Sequence, residues 1–266
     1  MGSEGGPATP GPAGVVTELW RFPVKSLQGE RLERATITAA GVAGDRVHAV
    51  RDRASGKVMT AKRYGALLDG AARTEADGTV VVCLPHGEEV AAGDPAVDDL
   101  LSAWLGTDVV LGRAGDPGST AFEMSFDAEH PDREIFEWAC PAGTFVDLAA
   151  VHLMTTASLA AAKARYPAGD WDVRRFRPNV VVEGAGEGFV EDAWVERTVD
   201  VGGAALRGSM ATIRCPMPSR AQPGLARDTR VAATLRDHHD NNLGLYCDVV
   251  EAGAVGVGDG VHVHLA

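Results

Sequence analysis

The run Arg197-Thr198-Val199-Asp200-Val201, then Gly202-Gly203, then Ala204-Ala205-Leu206-Arg207 decides the fold class. Two short Val- and Ala-rich stretches flank a Gly-Gly pair, the pattern of a hairpin whose turn needs backbone conformations that glycine supplies. A two-residue connection cannot carry a crossover, so such a pair is antiparallel. The same punctuation recurs outward. Residues 15–22, 47–50, 79–84, 109–111, 180–182 and 261–265 read as strands, parted by turn signals at Gly41, Gly44-Asp45, Ser55-Gly56, Asp77-Gly78 and Gly258-Asp259-Gly260. Connections this short predict antiparallel sheet and barrel architecture over a doubly wound fold. Helices are few. One is expected at 95–105, with Val97, Leu100, Leu101 and Trp104 at helical spacing; one at 156–165, opened by Thr and Ser and stopped before Pro167; a short one at 231–238. The expected class is mainly β with a few helices, α+β.

Across 266 residues, 37 Asp and Glu against 25 Lys and Arg give a net charge of -12. Such a chain is a poor partner for a polyphosphate backbone, so no nucleic-acid role is expected. No apolar run reaches the roughly 18 residues of a membrane span, and no membrane role is expected. Residues 1–14, rich in Gly, Pro and Ala, read as a disordered leader with no signal-peptide pattern. Cys83, Cys140, Cys215 and Cys247 are too scattered for a zinc ribbon, an iron–sulfur run or a disulfide scaffold, which points to a cytoplasmic protein with free thiols. A shift toward Asp, Glu and Pro over 115–141 divides the chain into 15–130 and 131–266.

Three clusters carry candidate chemistry. Phe22-Pro23-Val24-Lys25-Ser26 runs a strand into a Pro-stiffened turn that presents an ammonium beside a hydroxyl, and Gly41-Val42-Ala43-Gly44-Asp45-Arg46 can bring Arg46 to the same anion. The plainer reading is a surface turn and an Asp45–Arg46 pair closing a hairpin. Arg174-Arg175-Phe176-Arg177-Pro178-Asn179 places three guanidiniums at a strand entrance, either to hold anionic oxygens or to counter Asp170 and Asp172. Ile213-Arg214-Cys215-Pro216-Met217-Pro218 sets a thiol on a rigid turn, suited to nucleophilic attack or to a soft metal. His238-His239-Asp240, His262 and His264 read as surface.

In this order the clusters resemble the MOSC family, the molybdenum cofactor sulfurase C-terminal domain proteins with their N-terminal β-barrel domain. Thr60-Ala61-Lys62-Arg63, His152-Leu153-Met154-Thr155-Thr156-Ala157-Ser158-Leu159, Phe189-Val190-Glu191-Asp192-Ala193-Trp194 and Gly253-Ala254-Val255-Gly256-Val257-Gly258-Asp259 extend the resemblance over about 15–264. It implies a MOSC β-barrel domain at 131–266 packed against an N-terminal barrel-like domain at 15–130. It also implies a relative of the mitochondrial amidoxime-reducing components and their bacterial counterparts, holding the molybdenum cofactor (molybdenum-molybdopterin). Cys215 would then ligate molybdenum and carry the catalysis. Lys25, Ser26, Arg46, Thr156, Ser158, Arg177, Asn179, Arg214 and Tyr246 would bind the cofactor's phosphate and pterin. With no iron–sulfur cluster or flavin of its own expected, electrons would come from a ferredoxin-like or flavin reductase donor to a small N-hydroxylated substrate. The alternative is a sulfur-carrier or C–S bond-cleaving protein using Cys215 as persulfide or nucleophile without molybdenum; a further one is a non-enzymatic cofactor carrier.

Overall fold

The computed structural model describes residues 11–117, 121–124, 136–141, 143–184 and 186–264. The first half runs β1 (Gly11–Arg21), β2 (Glu30–Leu32), β3 (Arg34–Thr38), β4 (Gly41–Val42), β5 (His48–Asp52), β6 (Ala71–Thr74), β7 (Val80–Cys83), β8 (Glu89–Ala91), α1 (Val97–Leu105) and β9 (Val109–Arg113). The second continues with β10 (Ala121–Met124), β11 (Phe136–Ala139), β12 (Val151–Thr155), α2 (Thr156–Arg165), β13 (Val180–Glu183), β14 (Thr198–Val201), β15 (Ala204–Ile213), α3 (Thr229–His238), β16 (Asn242–Glu251), β17 (Gly253–Gly256) and β18 (Gly260–Val263). The chain is mainly β, as its punctuation predicts, and the three expected helices are present.

Seven strands close into a barrel in the order β13-β12-β16-β15-β14-β18-β1, with β1 returning to β13. The Gly202-Gly203 hairpin is there, pairing Val201 with Ala204. Alternate residues fill the interior: Val199 and Val201 of β14, Leu206 of β15, Leu245 and Cys247 of β16, Val261 and Val263 of β18. Cys247 is a fully buried packing residue, and burial pushes its thiol pKa up.

Two expectations are corrected. The barrel is not wholly antiparallel, because β12 and β13 run parallel and α2 is the crossover between them. All five residues of β12 are buried, so it has no alternation to betray it. The expected leader also ends early. Residues 1–10 lie outside the described residues, but Gly11–Gly14 belong to β1, paired with β18. Gly14 makes this possible: at φ +148° a Cβ there would lie 2.1 Å from the Glu183 oxygen. The glycine that suggests disorder is what lets β1 close against β13.

Of the remaining first-half elements, β3 and β4 set Ile37 and Val42 into the barrel core, while β6–β7–β8 and α1 surround a second core with Leu67, Leu68, Val82, Leu101 and Val109. Val24 and Leu27, just beyond β1, plug into that core. In return β17 pairs with β3. The two halves thus exchange strands, and the segment from Phe22 to Leu27 is pinned between two cores. Residue 130, the expected boundary between halves, lies outside the described residues.

Candidate functional site

The Phe22–Ser26 turn and the Gly44–Arg46 turn are stitched together by backbone. The Arg46 N–H donates to the Phe22 carbonyl at 2.7 Å, the Lys25 N–H to the His48 carbonyl at 2.8 Å, and the Phe22 N–H to Asp45 Oδ1 at 2.7 Å. The Asp45 carboxylate also pairs with the Arg46 guanidinium. Asp45 therefore closes the turn, as the plainer reading has it, and Arg46 still reaches a cavity where the two halves meet.

That cavity is open to solvent, and the space it frames, mouth included, is about 730 Å³. Of the sequence candidates, Lys25, Ser26, Arg46, Arg177, Asn179, Arg214, Cys215 and Tyr246 line it. With Lys62 and Arg175 added, six formal cations face a single carboxylate, Asp147, in a chain whose net charge is -12. Ser26 (φ 72°), Arg46 (φ 50°) and Arg177 (φ 56°) all hold left-handed backbone that non-glycine residues seldom adopt. Strain of this kind persists only where its surroundings impose it, and here three instances converge on one cavity.

The arginines of the 174–177 segment have three fates. Arg174 makes a surface ion pair with Asp172 at 2.9 Å. Arg175 is buried and saturated, donating to the carbonyls of Asp170, Pro218, Arg220 and Ala226 at 2.8–3.1 Å, which fixes the loop after Cys215. Arg177 is different. Its Nη1 donates to the Leu27 carbonyl at 2.7 Å and its guanidinium lies 4.0 Å over the Phe22 ring, but its buried Nη2 has no partner. Burial, and then the neighbouring Arg46, lower its pKa to about 9. Arg214 repeats the pattern: Nη2 donates to the Phe176 carbonyl at 2.8 Å and Nη1 to the Leu243 carbonyl at 3.3 Å, while its buried Nε is unpartnered. Two buried cations with vacant donors are what an anionic ligand would satisfy.

The lysines are otherwise engaged. Asp147 accepts from both Lys25 and Lys62, the latter at 2.8 Å, and both ammoniums lie over the Phe122 ring. Burial lowers the Lys25 pKa despite Asp147. At Lys62 burial acts the same way but the attraction of Asp147 outweighs it, and the pKa rises. Burial works against ionisation of Asp147 too, yet the two ammoniums hold its carboxyl well below the usual range. Ser26 Oγ accepts from the Ala61 N–H at 3.0 Å, tying the Lys25 turn to the Lys62 loop. Asn179 is largely used internally, its Oδ1 accepting from the His152 N–H and its Nδ2 donating to the Trp20 carbonyl.

Thr156 and Ser158 do not line the cavity. The start of α2 is occupied from within: Thr155 caps the Ser158 N–H at 3.1 Å, and the Thr155 and Ser158 hydroxyls donate to the buried Glu191 carboxyl. Conversely, Thr60, Lys62, Asp147 and His152 line the cavity without having been singled out. Asp147 stands as a lone charge in the apolar run Phe145–Leu148, and that was its signal. His239, expected on the surface, stacks on Phe189 and bonds Asp192 at 2.7 Å, while His264 finds Asp200 across the sheet at 2.7 Å.

Cys215 is half-buried among Lys62, Arg177, Arg214 and Tyr246. Among the described residues no group of three His, Cys, Asp or Glu converges as a metal site. No helix among the described residues is long and apolar enough to cross a membrane.

Residues 13–107 match the MOSC N-terminal beta barrel domain and residues 142–262 the MOSC domain. The chain belongs to the MOSC family. Among solved structures it is similar to the YuaD protein of Bacillus subtilis, 12% identical with a TM-score of 0.52 over 97% of this chain and 100% of that one, a likeness of fold. YiiM from Geobacillus stearothermophilus is 16% identical, with a TM-score of 0.31 over 43% of this chain and 54% of that one. A search of curated proteins found no match.

Proposed function

We propose that this protein binds the molybdenum cofactor and reduces N-hydroxylated or N-oxygenated compounds, with electrons from a separate ferredoxin-like or flavin reductase donor. The observation that carries this reading is the pair of vacant buried donors, Arg177 Nη2 and Arg214 Nε, in a cavity that also presents a half-buried thiol. A pterin phosphate supplies acceptors for guanidiniums, and a dithiolene-bound soft metal suits a thiolate. The residues present therefore fit the group.

Arg177, Arg214 and Arg46 would hold its anionic end, and Cys215 would be the protein's ligand to molybdenum. When bound, the cofactor supplies a two-electron redox centre. Reducing a hydroxylamine consumes two electrons and two protons and releases an amine and water. Asp147 stays ionised and holds both ammoniums in place. Of the two, Lys25 parts with a proton more readily, because burial lowers its pKa while Lys62 is held charged. Tyr246, its phenol pKa pushed up by burial, stays protonated and offers a hydroxyl donor.

The same cations beside a half-buried Cys215 would also suit a persulfide, which keeps the sulfur-transfer reading as the second one. Metal and pterin analysis of protein from a cofactor-competent host separates them. Stoichiometric molybdenum and pterin, lost together in Cys215→Ala with the fold retained, is the expected result. Metal-free protein carrying a persulfide on Cys215 would overturn the proposal in favour of sulfur transfer.

A further inference from the structure

His152, the second residue of β12, lines the cavity although only 6% of it is exposed. Its backbone is locked to Asn179, donating to Oδ1 at 3.1 Å and accepting from the Asn179 N–H at 2.7 Å. Its ring sits edge-on to Tyr246, with centroids 5.5 Å apart. Nδ1 lies 3.3 Å from the Arg177 carbonyl oxygen, and Nε2 lies 3.4 Å from Arg214 Nη1. One neutral tautomer meets both partners: Nδ1–H donates to the carbonyl, and the Nε2 lone pair accepts from the guanidinium. An imidazolium would instead set a second N–H and a positive charge against Arg214.

The opposite strand is shaped for this ring. Gly244 interrupts β16 at φ +95°, and a Cβ there would stand 2.4 Å from His152 Nε2. A glycine inside a strand commonly marks such a close approach.

We propose that His152 is a positioning residue of the anion site: as the neutral Nδ1–H tautomer it fixes the Arg177 carbonyl and the Arg214 guanidinium, leaving Arg177 Nη2 and Arg214 Nε free for one anionic ligand. This rests on the reading of the cavity as an anion site. The charge environment agrees, since burial and then Arg214 and Arg46 drive the ring pKa well below its ordinary value, against the Arg177 and Leu243 carbonyls. Arg46 adds a further tie, its Nη2 donating to the same Arg177 carbonyl at 3.4 Å.

The test uses the full chain, with 15N-edited spectra of the imidazole and of arginine side chains and titration with inorganic phosphate. The expected ring is the Nδ1–H tautomer, unchanged between about pH 5.5 and 8, with Arg214 Nη protons in slow exchange. His152→Phe, which keeps a buried ring, should lose those Arg214 signals and weaken phosphate binding about tenfold or more, the scale of one ordering hydrogen bond to a charged group. His152→Gln, whose Oε1 can accept from Arg214, should recover most of both. An Nε2–H ring, or wild-type Arg214 signals and phosphate affinity in His152→Phe, overturns the assignment. If the wild-type chain binds no phosphate, the anion-site reading fails, and the tautomer and the Arg214 signals still decide what His152 does.

Discussion

Replacing Arg177 with Met should make the ligand-free protein more stable while destroying its anion site. Arg177 is 8% exposed and has no carboxylate within its hydrogen bonds. Its pKa falls from the ordinary guanidinium value to about 9, and at about 1.4 kcal/mol for each tenfold in proton affinity this is on the order of 5 kcal/mol of unfavourable charge burial. Met is similar in length and removes the charge. Against that gain stand the hydrogen bond to the Leu27 carbonyl and the stacking on Phe22, together about 2–4 kcal/mol. The net expectation is a stabilisation of about 1–3 kcal/mol, or several degrees in Tm. The sign with pH follows from linkage. A cation whose folded pKa is depressed burdens the fold fully below about pH 9, and the burden fades as pH rises beyond that toward the ordinary guanidinium value. The advantage of the variant should therefore shrink above about pH 9. Calorimetry in phosphate-free buffer gives the comparison, and added phosphate should raise the Tm of the wild type alone. A Tm below wild type without anion would refute the view that Arg177 is held against its own solvation for a ligand.

Three other outcomes are expected. Asp147→Asn leaves two buried ammoniums without a carboxylate and should cost about 1–3 kcal/mol at neutral pH; because its folded pKa lies below the ordinary 3.8, the gap seen in pH-dependent melts should close as pH falls below that value. Gly244→Ala should destabilise by about 2–4 kcal/mol in denaturant titration, from the φ of +95° and the clash with His152. Iodoacetamide followed by peptide mapping should label half-buried Cys215 well before Cys247, which is fully buried and whose thiol burial keeps protonated.

Strands that alternate or end in glycine turns were legible from the residues, β14, β15 and β18 among them. β12 was not, because a strand buried on both faces shows no period, and the parallel pairing it brings could not be inferred from short connections. Arg177 and Cys215 stood out because a local run broke with its surroundings. Asp147, a lone charge in an apolar run, and His152 carried no such local meaning, because theirs lies in partners from distant segments: Lys25 and Lys62 for one, Arg177 and Arg214 for the other. Thr156 and Ser158 lie off the cavity for the opposite reason. A helix start offers donors in any sequence, and only the fold shows that Thr155 caps the Ser158 N–H while Glu191 accepts the Thr155 and Ser158 hydroxyls.

The stave that closes the barrel, β1, comes from the beginning of the chain, while its partners β13 and β18 lie near the middle and the end. During synthesis, at about 5–20 residues per second, β1 must wait roughly ten seconds or more for β18 to emerge. Until then its apolar face, Val16 and Leu19 among it, can pack only on the unclosed part of the barrel already made, β13 included. The cavity draws its lining from Lys25 through Tyr246, so it stays incomplete until β16 is made. The cavity is therefore among the last features to form on the ribosome, and a nascent chain stalled before residue 246 would leave it without its last wall.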